Sequence, residues 1–139
     1  MVEQRRAVAT WLRLARVFHK IERASVEQMR AWDLSIAQFD VLTKVGASEG
    51  ITQQQLADRL LVTKGNICQL LDRMEARGLL ERHQEGRANR LFLTEAGRAL
   101  WHEVVPPHEA LIARLMGELS PEEQAQLLPL VRKLDRALG

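Results

Sequence analysis

At 139 residues the chain is one domain's worth, and with 4% aromatic residues and no Tyr its core has to be built from Leu, Val, Ile, Ala and Met. Four Pro, eight Gly and 27% charged residues suit a helical protein. No window approaches the apolar length of a membrane span, and a single Cys excludes an intrachain disulfide and points to a reducing, cytoplasmic compartment. Net charge is only +2, but the basic excess is concentrated, with seven Lys/Arg against three Asp/Glu in residues 1–30 and eight against six in 52–98.

The opening Met1-Val2-Glu3-Gln4-Arg5-Arg6 leads into an amphipathic stretch, not an apolar signal core. From Gln4 to Ala31 there is no Gly or Pro, and Val8, Trp11, Leu12, Ala15, Phe18, Ile21 and Met29 keep a helical spacing. Such a helix runs about 40 Å, longer than a small domain needs, which predicts that something beyond one chain covers part of it. Trp32-Asp33-Leu34-Ser35 breaks the pattern. Ser35, with Gln38 at the capping-box position, opens a helix containing Ile36, Phe39, Val41 and Leu42. Gly46 and Gly50 bracket a loop.

Residues 51–94 then predict helix, turn, helix and hairpin. Thr52 and Gln55 form a second capping box before Leu56, Leu60 and Leu61. Thr63 is a candidate N-cap for a helix of about four turns. Its core stripe is Ile67, Leu70, Leu71 and Met74, and Gly78 stands at its C-cap. The stripe places Gly65, Gln69 and Ala76 opposite the core, Asn66 and Arg73 on one flank, and Cys68 and Asp72 on the other. The first turn offers Thr63, Lys64, Gly65 and Asn66. Gly inside a helix costs about 1 kcal/mol against Ala, so Gly65 suggests a place where the backbone approaches something closely. Asn and Gln pair with adenine, and Lys reaches guanine or a phosphate; a solvated polar face is the bland alternative.

Leu79 and Leu80, then Leu91, Phe92 and Leu93, read as two short strands around a polar segment from Glu81 to Arg90. Arg82, Arg87 and Arg90 cluster at or beside its tip, with Gly86 and Asn89 as turn formers. A helix-turn-helix followed by a basic hairpin is a winged helix, here spanning 35–98. One helix enters the major groove and an Arg-bearing tip turns to the backbone or minor groove.

After Thr94, Gly97 lies near the start of a helix with Leu100, Trp101, Val104 and Val105. Pro106-Pro107 predicts a kink or break, with helix resuming from His108 through Leu111, Ile112 and Leu115. Ser120-Pro121-Glu122-Glu123 starts a last helix running to Leu138, with Pro129 as a point of bending. The flanking segments, 1–31 and 99–139, are candidate dimerisation helices.

Several blocks in order resemble the multiple antibiotic resistance regulator (MarR) family: Leu34-Ser35-Ile36-Ala37-Gln38-Phe39-Asp40-Val41-Leu42, Thr63-Lys64-Gly65-Asn66-Ile67, and Leu71-Asp72-Arg73-Met74-Glu75-Ala76-Arg77-Gly78-Leu79-Leu80-Glu81-Arg82. The wing pattern Asp-x-Arg-Asp-x-Arg appears as Glu85-Gly86-Arg87-Ala88-Asn89-Arg90, closed by Leu93-Thr94-Glu95-Ala96-Gly97. Glu85 replaces the first Asp conservatively. Ala88 replaces the second, which in the family helps hold the wing Arg, leaving the posture of Arg87 and Arg90 open. The resemblance, covering nearly all of residues 1–139, implies a mainly α single domain with a small β-hairpin wing. It also implies a cytoplasmic homodimer and a near-palindromic double-stranded DNA operator, with half-sites about one helical turn apart. In that frame Lys64, Asn66 and Gln69 reach base edges beside Gly65, Thr63 and Arg73 take phosphates, and Arg87 and Arg90 make the wing contact. The family's usual effector is a planar aromatic acid bound where dimer helices meet the DNA unit. Trp11, Phe18, Trp32, Phe39 and Trp101 are candidates to line that cavity, with ordinary core aromatics as the alternative.

Other chemistry finds little support. There is no phosphate loop, no nucleophile–His arrangement and no His-Glu-x-x-His, so no enzyme and no cofactor is expected. His19, His102, His108 and Glu109 match no sharp metal-ligand spacing, and solvated or core-edge histidines are the default. Cys68, on the border of the second helix, raises the alternative of a redox-responsive regulator, against the ordinary role of a small buried residue. A further alternative is a protein–protein adaptor that never touches DNA, in which Arg82, Arg87 and Arg90 form a solvated rim.

Overall fold

The computed structural model describes residues 1–60 and 64–139, with the backbone alone at Lys64 and Gly65. The capping expected of Thr63, the burial of Leu61, and the side-chain roles of Lys64 and Gly65 therefore lie outside the described residues.

Helices form where the sequence supplies a local start. Ser35 accepts from Gln38 N at 3.0 Å while its own N–H donates to Gln38 Oε1 at 3.2 Å, opening α2 (Ile36–Ala47). Thr52 and Gln55 repeat the arrangement at 3.1 and 3.0 Å ahead of α3 (Gln53–Leu60). Ser120 and Glu123 do so at 3.1 and 2.8 Å for α6 (Pro121–Leu138). The long first helix, α1, covers Val2–Met29 and passes through a 3-10 turn, Arg30–Trp32, into Asp33 at φ 51°. Helix α4 covers Lys64–Ala76 and ends at Gly78, whose φ of 72° lets the chain turn back into the hairpin.

The core lies where α2, α3, α4, the hairpin and the first half of α5 (Glu95–Met116) meet. Leu42, Leu56, Leu71, Met74, Leu91 and Val104 are fully buried in it. In contrast α1 buries only Ser25 and Met29, near its C-terminal end, and α6 buries nothing. Within one chain most of the first helix is thus uncovered. No helix among the described residues is long and apolar enough to cross a membrane.

The hairpin differs from expectation. Strand β1 (Leu80–Glu85) pairs antiparallel with β2 (Ala88–Leu93), from Leu80 opposite Leu93 to Glu85 opposite Ala88. The polar segment is thus mostly strand, and the tip is only Gly86-Arg87, with Gly86 at φ 62°. Asn89, expected in the turn, is a strand residue opposite Gln84. The segment before α3 adds a third piece: Gly50 N–H donates to Leu91 O at 2.8 Å, and Leu91 N–H donates to Ile51 O at 2.9 Å.

The break expected at Pro106-Pro107 is absent, because α5 is helical from Glu95 through Met116. The two prolines leave the carbonyls of His102 and Glu103 without a helical donor. Both residues are exposed, so water can supply that bond. The side chains of Val104 and Leu111, seven residues apart on one face, are buried on either side of the prolines. Two bonds tie it to the end of α1, from Gln28 Nε2 to Pro107 O at 3.0 Å and from Trp32 Nε1 to Glu103 Oε1 at 3.2 Å.

Beside this seam the His108 ring lies 4.6 Å from that of Phe39, with Nδ1 buried and unpartnered. Burial lowers the His108 pKa against weaker pulls from Asp40 and Glu109. Burial also raises Asp40, while Lys44 and His108 draw it down and Glu22 pushes it up. A histidine with a depressed folded pKa contributes stability that is complete above its ordinary value of 6.5 and lost as pH falls towards the folded value. Urea midpoints should therefore drop as pH falls below the ordinary histidine value of 6.5. His108→Gln should flatten that slope, and an equal slope in the variant would remove His108 as its source.

Candidate nucleic-acid interface

Helix α4 presents the outer face expected of it. Ile67, Leu71 and Met74 are buried, and Asn66, Gln69, Arg73 and Ala76 are exposed. Its register follows from apolar spacing, and its N-terminal end is held against α3. The hairpin packs along its other side. A cleft of about 290 Å³ separates α3, α4 and the tip, lined by Thr52, Gln53, Cys68, Arg87 and Asn89 among others. The flank of α4 that carries Cys68 and the tip arginine Arg87 therefore border one cleft.

The charge on this surface is arranged by pairing. Asp72 and Glu75 on α4 would repel phosphates. Arg82 of β1 pairs with both, donating to Asp72 Oδ1 and, at 3.1 Å, to Glu75 Oε1. Its side chain is only 19% exposed, and hydrogen bonds to Glu75 first and Asp72 second hold its proton more firmly still. Arg82 was expected at or beside the tip; it lies instead near the base of the hairpin, opposite Leu91. It binds the hairpin to α4, so it is no solvated rim.

Arg90 is likewise engaged within the protein. Its Nε donates to Glu85 Oε2 at 2.7 Å and its Nη1 to Gly50 O at 2.9 Å. Glu85 thus holds a wing arginine from the position before the turn, where Ala88 cannot. Arg87, at the two-residue tip, is exposed. Sequence reasoning missed Glu49, whose Oε1 accepts from Leu93 N at 2.9 Å and from Arg98 Nη2 at 3.4 Å, pinning the hairpin base. A Glu in a loop carries no local signal of a partner 44 residues away.

Cys68 is exposed, not the small buried residue of its ordinary role, and its sulfur accepts from Gln53 Nε2 at 2.8 Å. Among the described residues no three His, Cys, Asp or Glu are gathered as a metal site. The five aromatic candidates do not converge within one chain. Trp11 and Phe18 stand 65% and 60% exposed on α1. Phe39 is buried against His108, and Trp101 lies over Gly46, whose missing Cβ would come within 2.9 Å of the indole. Phe39 and Gly46 are seven residues apart on α2, about 10 Å. Trp32, half-buried, bonds Glu103.

Comparison with known proteins agrees with this architecture. Residues 32–90 match the sequence profile of the MarR family. An uncharacterized HTH-type transcriptional regulator of Bacillus cereus (strain ATCC 10987) is 34% identical over 127 residues, 91% of this chain and 86% of that one. A mutant MarR from E. coli, crystallised with operator DNA, superposes with a TM-score of 0.84 at 26% identity, covering 93% of this chain and 95% of that one. AbsC from Streptomyces coelicolor superposes at 0.87 with 22% identity, over 94% and 92% of the two chains, and shows the same fold. With a hairpin wing beside an outward-facing second helix, and relatives matched across nearly its whole length, this chain belongs to the MarR family of winged helix-turn-helix transcriptional regulators.

Proposed function

We propose that two copies of this chain act as a ligand-responsive repressor on a near-palindromic DNA operator, residues 35–98 reading DNA and residues 1–31 with 99–139 forming the dimer. The observation that carries the DNA reading is a set of exposed polar and basic side chains on α4 and the hairpin tip, with the nearby acids neutralised. Asn66, Gln69 and Arg73 are exposed on α4, Arg87 is exposed at the adjoining tip, and the two acids between them are paired by Arg82. The operator-bound E. coli relative adds support. In this reading Lys64, Asn66 and Gln69 meet base edges, with Gly65 allowing the close approach. Thr63 and Arg73 meet phosphates, and Arg87 enters or borders the minor groove. Arg90, its Nε and Nη1 already engaged, sets the posture of the wing and contributes to DNA through its charge. An effector, an aromatic acid in this reading, acts by binding one spacing of the two heads better than another. Trp32 and Trp101, half-buried at the edge of the core, are the aromatic surfaces it would meet in this reading.

The test compares operator with random duplex. Asn66→Ala and Gln69→Ala should each cost about 1–3 kcal/mol on operator and much less on random DNA. Arg87→Ala should weaken both and flatten the salt dependence, because a lost phosphate contact releases fewer counterions. Fluorescence-anisotropy titrations at several salt concentrations read both effects. Equal losses on both duplexes for all three variants would overturn the division into base and phosphate contacts.

A further inference from the structure

Helix α4 already satisfies its own C-terminus: Gly78 N–H donates to Glu75 O at 2.9 Å and Leu79 N–H to Met74 O at 3.0 Å. Arg77 does something else. Its Nη1 donates to Asp33 O at 2.6 Å and to Gln38 Oε1 at 3.3 Å, and its Nη2 donates to Trp32 O at 3.2 Å. Two of the three acceptors belong to the elbow between α1 and α2, and the third, Gln38, to the first turn of α2. That elbow is a built corner. Asp33 sits at φ 51°, Leu34 N–H donates back to Met29 O at 3.2 Å, and the Trp32 indole donates to Glu103 Oε1 on α5. One guanidinium therefore ties the end of α4 to a corner continuous with α1 and hydrogen-bonded to α5.

The position of Arg77 gives this tie leverage. It lies eleven residues beyond Asn66, about 16 Å along the helix, so a small shift at the elbow becomes a tilt at the reading end. Separate nitrogens of one planar fork meet two successive carbonyls, a fixed geometry that the single nitrogen of an ammonium does not reproduce. We propose that Arg77 is a positioning residue that sets the tilt of α4 against α1 and α5, and so the separation of the two reading helices in the dimer. The proposal rests on the dimeric DNA-binding reading above.

The probes are three duplexes: one that the full-length protein selects from a randomised library, the same duplex with its half-sites moved apart, and an unrelated duplex of equal length. Wild-type protein prefers the first over the second. Arg77→Ala should reduce that preference by about tenfold while leaving the unrelated duplex bound as before. Arg77→Lys should recover part of it, and Glu103→Ala, which frees the indole, should reduce it in the same direction. Thermal unfolding is followed for each variant, and where Arg77→Ala does not fold, Arg77→Lys and Glu103→Ala carry the measurement. Wild-type spacing preference in the folded variants overturns the proposal. So does equal weakening on all three duplexes, which makes Arg77 a phosphate contact. A wild-type protein that is monomeric or indifferent to spacing fails before any variant is made, which sinks the functional reading and this proposal with it.

Discussion

Gly97→Ala is expected to destabilise the protein by about 3 kcal/mol and to lower its unfolding midpoint by about 10 °C. Helix propensity alone argues the other way, since Ala in a helix is favoured over Gly by about 1 kcal/mol. Space decides the sign. Gly97 is the third residue of α5, and a Cβ there would stand 2.0 Å from Leu79 O and 3.0 Å from Leu79 C. That carbonyl cannot step aside, because it accepts from Thr94 N at 3.1 Å, and Thr94 in turn caps α5 by accepting from Gly97 N at 3.0 Å. The end of the wing, the C-terminal turn of α4 and the start of α5 are thus locked through one close approach. Gly46 is the instructive control. Its added Cβ would meet indole carbons of Trp101 at 2.9 Å, but a half-buried side chain can shift where backbone cannot, so Gly46→Ala should cost less. Differential scanning calorimetry of both variants checks the order. A Gly97→Ala protein that melts with the wild type would show that α5 and Leu79 can separate without loss.

What could be read from the sequence was whatever the chain states locally. Ser35 with Gln38, Thr52 with Gln55 and Ser120 with Glu123 announce helix starts within four residues, and each forms its reciprocal bonds. The reading face of α4 followed from the spacing of Ile67, Leu71 and Met74, since fixing the buried side of a helix fixes the exposed one. Strand β1 was not legible beyond its first residue. Only Leu80 is buried in it, so Glu81 to Glu85 carry no alternation of apolar and polar, and pairing with β2 alone makes them a strand. The roles of Arg82, Arg90, Glu49 and Arg77 were hidden for a related reason. Each meets partners between five and 49 residues away, across a turn or a corner that no periodicity encodes. Pro106 and Pro107 misled because the rule for prolines describes an isolated helix. Here one face is anchored in the core and the freed carbonyls lie on residues open to water.

Charging the uncovered helices should have the largest effect on DNA binding. Helix α1 is apolar on more than one side: Leu14, Val17 and Ile21 line a groove of about 790 Å³ with Leu115, Leu119 and Leu127 of α5, its loop and α6, while Trp11 lies with Leu134 and Leu138 in a second groove. Trp11, Phe18 and Leu134 are 65%, 60% and 53% exposed in one chain. An apolar stripe of this width needs a covering partner, and contiguous exposed apolar patches of this kind mark an interaction surface. In the dimer proposed above, a second copy supplies the matching helices. Leu14→Glu with Leu134→Glu leaves the core untouched and keeps two good helix formers in place, so each chain should fold as before and lose its partner. Tethering two heads raises the effective concentration of the second to about the millimolar range, and losing that tether should weaken operator binding by about 10²–10⁴-fold. Random DNA, which does not require both heads in register, should lose far less. Sedimentation velocity reports the change from dimer to monomer, and anisotropy on the two duplexes reports its consequence. A doubly charged variant that still sediments as a dimer would move the interface elsewhere. One that is monomeric yet binds operator as tightly as before would show that a single copy reads its site alone.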